Sequence, residues 1–100
     1  MKRLFFILRT RGANWNRDCG LEQQDGWPEH ADFMNNLAQE GFIVLGGPLE
    51  GTPNVLLLAM AESEEAVRAK LAGDIWTQQD LLRVERVAPW SLKLGIWQRT

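Results

Sequence analysis

Val55-Leu56-Leu57-Leu58-Ala59-Met60-Ala61 is apolar at every position. A run this short, bounded by Gly51-Thr52-Pro53-Asn54 before it and Glu62-Ser63 after it, reads as a buried strand. Downstream, Ser63 carries the oxygen that caps a helix, and Glu64 and Glu65 fall in the positive first turn. Val67 and Leu71 share the inner face of that helix, and Gly73 stops it. Leu82 to Ala88 forms the next strand, ended by Pro89-Trp90. Upstream, residues 46–54 read as a turn segment, preceded by the strand Phe42-Ile43-Val44-Leu45. Before that comes a helix, with Pro28 in its first turn. Phe33, Met34, Leu37 and Ala38 fall at helical spacing, and Gly41 ends it. Leu4 to Leu8 is the first strand. Residues 10–26 are polar and turn-rich, and a loop of that length is usually functional or disordered.

The order is therefore β-α-β-β-α-β, and a ferredoxin-like α+β sandwich is the expected fold. Both helices then cover one face of a four-stranded antiparallel sheet. A sheet with one wet face alternates apolar and polar residues. The first three strands do not alternate, so the second face needs a cover. A second copy of the same sheet is the cheapest one, and the sequence predicts a homodimer packed sheet to sheet. The alternative cover is the tail, folding back through Leu92, Leu94, Ile96 and Trp97. Residues 1–90 read as the domain and 91–100 as a C-terminal tail.

The chain has 100 residues, 45% of them hydrophobic and 24% charged, which suits one soluble domain. It holds one cysteine and one histidine, so sites built on several of either are excluded. No cofactor or metal is expected. Five tryptophans against no tyrosine is an unusual balance. The net charge of −2 is unevenly spread. In residues 1–20, Lys2, Arg3, Arg9, Arg11 and Arg17 stand against Asp18, a net +4. In residues 21–80, eleven acids stand against Arg68 and Lys70, a net −9. In residues 81–100, Arg83, Arg86, Lys93 and Arg99 stand against Glu85, a net +3. Solvated acidic helix faces account for the middle; basic ends that meet would suit an anionic ligand. The apolar run Leu4–Leu8 is too short for a signal peptide or a membrane span. The cytoplasm is the expected location, in agreement with a lone cysteine.

Topology gathers several polar residues at one rim. His30 lies in the first turn of the first helix, and Asp74 follows the end of the second. His30 also shares the stripe of Met34 and Leu37, which points it toward the sheet. A ring so placed needs a hydrogen-bond partner, and Asp74 is the expected one. Such a carboxylate would fix the tautomer and leave the second ring nitrogen to work. The plainer alternatives are a core histidine without chemistry and a water-exposed Asp74. Arg9 closes the first strand at this rim. With Arg11 it would suit an anionic group of a substrate, although a solvated charge is the simpler reading. Trp27 and Trp76 are candidates for the wall of a ligand cleft; Trp15 flanks the long loop, and Trp90 and Trp97 read as packing. Cys19, in the polar loop, reads as an inert thiol.

His30, Gly46-Gly47-Pro48-Leu49, Ser63-Glu64-Glu65-Ala66, Asp74-Ile75-Trp76 and Val87-Ala88-Pro89-Trp90 together resemble the YCII-related family, over about residues 4–90. The resemblance implies a dimeric α+β barrel built from ferredoxin-like halves. It also implies a His-Asp pair in a small-molecule cleft, matching His30 and Asp74. The chain departs from the family pattern at Ile75, where proline is usual.

Two functions follow. One is a small cofactor-independent enzyme, in which His30 is general acid or base on an unidentified small molecule and Asp74 orients it. The other is a non-catalytic dimeric module for small-molecule binding or interaction. RNA recognition is excluded, because Asn54 to Met60 lacks the aromatic residues it requires. No phosphate-binding glycine motif is present, because Gly46-Gly47 has no lysine and helix after it. Neither nucleic acid nor a membrane is an expected partner.

Overall fold

The apolar run of residues 55–61 lies inside a strand, β3 (Asn54–Ala61), near the middle of the sheet. The computed structural model describes residues 1–95. The other elements are β1 (Arg3–Arg11), α1 (Trp27–Gln39), β2 (Ile43–Pro48), α2 (Glu64–Leu71), α3 (Ile75–Gln78) and β4 (Leu82–Pro89), with a single 3-10 turn at Leu21–Gln23 before α1. The sheet runs β2-β3-β1-β4 with every neighbouring pair antiparallel. This is the ferredoxin-like arrangement that the element order predicts.

Side-chain alternation sorts β1 and β3 into two faces. Phe5, Ile7, Leu57, Ala59 and Ala61 are buried on the helix side, against Leu37 of α1 and Val67 and Leu71 of α2. The opposite face is also apolar. Leu4 pairs with Met60, Phe6 with Leu58 and Leu8 with Leu56, all of them half-buried. Leu45 of β2 is exposed. Of the tail proposed as a cover, Leu94 is 84% exposed, and Ile96 and Trp97 lie outside the described residues.

Three boundaries differ from the sequence reading. β2 continues through Gly46-Gly47-Pro48, where a turn is expected, because these residues pair with Leu57, Leu56 and Val55. Its edge position tolerates the proline. β1 runs on to Arg11, since Thr10 and Arg11 still find partners in β4, and the long loop therefore starts at residue 12. A third helix, α3, separates α2 from β4. Asp74 is its N-cap rather than the tail of α2, and accepts a hydrogen bond from the Trp76 N–H. Ser63 caps α2 as expected, accepting from the Ala66 N–H.

Candidate active site

Arg9 enters the site because it shares a face with Phe5 and Ile7, at period two along β1. That alternation directs its guanidinium under the helices, and its side chain is 1% exposed. Beside it the β1–β4 register slips at Leu8/Arg9, leaving Glu85 without a partner. Such bulges re-aim side chains and recur beside functional sites.

Asp74 is fully buried and takes hydrogen bonds from three directions. Arg9 Nη1 donates to Oδ2 at 2.9 Å, and the Trp76 backbone N–H donates to Oδ1 at 3.1 Å. His30 Nδ1 lies 2.9 Å from both oxygens. Arg9 Nη2 donates to Thr77 Oγ1 at 2.7 Å, and Thr77 in turn donates to the Leu71 carbonyl at 2.8 Å. Burial pushes the Asp74 carboxyl up. The donors on His30, Arg9 and Trp76 outweigh it and hold the group below its ordinary value. The Arg9 guanidinium is pulled down by burial against the opposing effect of Asp74. With an ionised Asp74 as acceptor, the neutral imidazole carries its proton on Nδ1. Nε2 then holds the free lone pair. It has no hydrogen-bond partner among the described residues, and His30 lines a cleft.

The ring is also held from below. Trp76 stacks on His30 with centroids 3.8 Å apart and planes 9° from parallel. The indole N–H of Trp76 donates to the Asp25 carbonyl at 2.6 Å, and Trp15 packs edge-on against it at 5.6 Å. Gly26 precedes α1 in a left-handed conformation (φ 76°), which glycine adopts without strain. The turn brings the chain against Ile75 and Trp76, so a Cβ there would sit 3.4 Å from the Ile75 side chain.

The cleft has a volume of about 580 Å³ and lies between α1 and the β2 half of the sheet. Trp27, His30 and Met34 form one wall; Ile43 and residues 44–48 form the other; Leu21 reaches in from the loop. The loop is fastened by Gln24, whose amide accepts from the Asn16 N–H at 2.9 Å and donates to the Asn16 carbonyl at 2.7 Å.

Among the residues singled out by sequence, His30, Asp74, Arg9, Trp27 and Trp76 all converge here. Two of them, Trp76 and Arg9, sit differently from expectation, and the water-exposed alternative for Asp74 falls away. Trp76 does not line the cleft: it is fully buried beneath His30, because α3 turns its ring inward. Arg9 reaches the cleft wall but is no free anion clamp, since Nη1 and Nη2 are taken by Asp74, Thr77 and the Leu82 carbonyl. Asp74 is no exposed loop carboxylate. Arg11 lies over the Trp15 ring, 4.7 Å from its centroid, rather than in the cleft. Cys19 Sγ sits against the Gln24 amide at 3.4 Å. Thr77 is an unforeseen member, and its only signal is its place three residues after a capping aspartate. Among the described residues, no cluster of three His, Cys, Asp or Glu side chains is suited to hold a metal.

No family model and no curated protein matches the sequence. Solved structures do match the fold. One is 5-chloro-2-hydroxyhydroquinone dehydrochlorinase (TftG) from Burkholderia phenoliruptrix AC1100, in complex with 2,5-dihydroxybenzoquinone. It has a TM-score of 0.67 and 23% identity, covering 88% of this chain and 93% of that one. Another is the structural-genomics protein YJCS, with a TM-score of 0.52 and 16% identity, covering 92% of this chain and 99% of that one. The α+β fold that the YCII-related resemblance implies is the one these structures share with this chain. Among the described residues, no helix is long and apolar enough to cross a membrane.

Proposed function

We propose that this chain is a small enzyme that performs general acid/base chemistry on a small molecule held in the cleft. His30 is the base. Its Nε2 takes a proton from the substrate, while Asp74 accepts the Nδ1–H and balances the imidazolium that forms. The stacked face of Trp76 favours the same cation. Arg9 and Trp76 are positioning residues that touch the pair, and Thr77 supports it through Arg9; Trp76 and Thr77 stay off the cleft wall, which Arg9 reaches. The observation that carries the reading is the asymmetry of the His30 ring, with Nδ1 bound to Asp74 and Nε2 without a partner among the described residues, at a cleft of small-molecule size. The shared fold with a dehydrochlorinase supports a small-molecule enzyme, and 5-chloro-2-hydroxyhydroquinone, which that protein's name carries, is the natural first compound to assay.

The experiment is a turnover assay with that compound and a panel of small phenols and carbonyl compounds, comparing wild type with His30→Ala. The expected loss is about 10²–10⁴-fold in rate, with the fold kept. Equal turnover in the variant overturns the reading.

We further infer that the working unit is a homodimer, closed over the outer apolar face of the sheet. Phe6→Asp should convert the dimer to monomer or to insoluble protein, as read by sedimentation. A dimer that survives Phe6→Asp places the interface elsewhere. The non-catalytic alternative shares this assembly and has no observation of its own in its favour.

A further inference from the structure

We propose that the cleft selects uncharged, largely apolar ligands carrying one weakly acidic O–H or C–H, and rejects ligands with a permanent carboxylate or phosphate. The proposal rests on the reading of His30 as a base only for the place of the acidic proton. The selection itself rests on the charges of the cleft.

Among the described residues that line the cleft, Arg9 is the single one with a charged side chain. Its charge is already matched by Asp74 at 2.9 Å, and its two terminal nitrogens are committed to protein acceptors. The basic N-terminal segment, which by sequence suits an anionic ligand, therefore offers this cleft no free cation. Beyond His30, the polar side chain on the wall is Asn35; Trp27, Met34, Ile43, Leu45 and Val55 present apolar surface. A carboxylate lodged against this wall would give up hydration on that side and gain no free counter-ion.

The proton transfer points the same way. When a neutral ligand meets neutral His30, the proton moves from the ligand oxygen or carbon to Nε2, and the bonding electron pair stays on the ligand. The products are an anion and an imidazolium in contact, so the net charge of site and ligand is unchanged. A ligand that already bears a carboxylate would end the same step as a dianion in a cleft with one new cation. Against an apolar wall with no free cation, that second charge is expensive.

The test is a matched pair with one bicyclic body, 2-naphthol and 2-naphthoate, titrated into the full chain near pH ~7, where the phenol stays neutral and the carboxylate is ionised. Methionine methyl resonances locate the binding. Met34 lines the cleft, whereas Met60 lies on the opposite face of the sheet. The expected result is that 2-naphthol shifts the Met34 methyl and not that of Met60, with a Kd at least about ten-fold below that of 2-naphthoate. A second arm places an unmatched cation at an exposed position of the wall. Ala38→Lys should strengthen 2-naphthoate binding by about ten-fold or more. Three results overturn the proposal: equal or tighter naphthoate binding at Met34 in the wild type, no Met34 shift with either compound, or no gain in Ala38→Lys. The ratio is read without turnover. A preference for naphthol alongside an active His30→Ala therefore sinks the catalytic reading alone, and a preference for naphthoate sinks the selection alone.

Discussion

The aliphatic core between the sheet and α1/α2 and the tryptophan cluster beside α3 are built on different principles. The first gathers Phe5, Ile7, Leu57, Val67 and Leu71, side chains with no polar atoms to satisfy. Its energy comes from area removed from water, and many shapes of similar volume would serve. The second centres on Trp76, with Trp15 and Trp27 against it and Leu81 and Leu82 behind. It adjoins a chain of buried polar groups (Arg9, Asp74, His30 and Thr77) in which each member is placed by its neighbours. The core sets stability; the cluster sets geometry. One exception marks the cluster further: Arg9 Nε is buried without a partner, a cost that the core nowhere carries among the described residues.

Paired substitutions separate the two regions. Asp74→Ala has the largest expected effect. It strands the Arg9 guanidinium in the interior, and removal of one partner of a buried pair costs about 3–5 kcal/mol. Denaturant unfolding measures the loss, and the orientation of His30 should be lost with it. Leu37→Ala, in the aliphatic core, should cost about 2–5 kcal/mol in the same experiment and leave the site intact. A Leu37→Ala protein whose histidine spectrum changes as much as that of Asp74→Ala would erase the distinction between the regions.

A smaller effect is expected from acid. The Asp74 carboxyl is held below its ordinary value in the folded chain. Its contribution is therefore complete above the unfolded value of about 3.9 and is lost as pH falls through the depressed folded value. Thermal stability should hold from about pH 7 to 5 and decline below about pH 4. Asp80 is lowered too, by its two bonds to Arg83, but that pair is exposed and screened, so its share should be slight. Asp74→Asn should flatten the acid limb, whereas Asp80→Asn should barely move it. The reverse ranking would show that the buried pair does not govern acid stability.

The same contrast explains what was legible in the sequence. The aliphatic core was legible because its periods are local: the apolar runs of β1 and β3, and the helical spacing of Phe33, Met34 and Leu37. The element order, and with it the meeting of His30 and Asp74, followed from those periods. The cluster was less legible because its contacts join residues 9, 30 and 74–77, far apart in the chain. Asp74-Ile75-Trp76-Thr77 is too short to announce a helix by periodicity, so the sequence predicts no α3 and offers Trp76 as a candidate for the cleft wall. Arg9 carried a signal that its charge obscured, since it continues the inward alternation of Phe5 and Ile7. Gly46-Gly47-Pro48 has turn composition, and pairing with β3 overrode it.

The chemistry of the site turns on one arrangement, in which Asp74 holds the Nδ1–H of His30 and leaves the Nε2 lone pair to the cleft. His30 is the only histidine in the chain, so its ring nitrogens can be read without ambiguity. Nitrogen-15 spectra of the neutral ring report which nitrogen bears the proton. The Nδ1–H tautomer is expected in the wild type, and its loss in Asp74→Ala. A wild-type ring protonated at Nε2 would contradict it, because the side facing the cleft would then hold no lone pair to accept a proton.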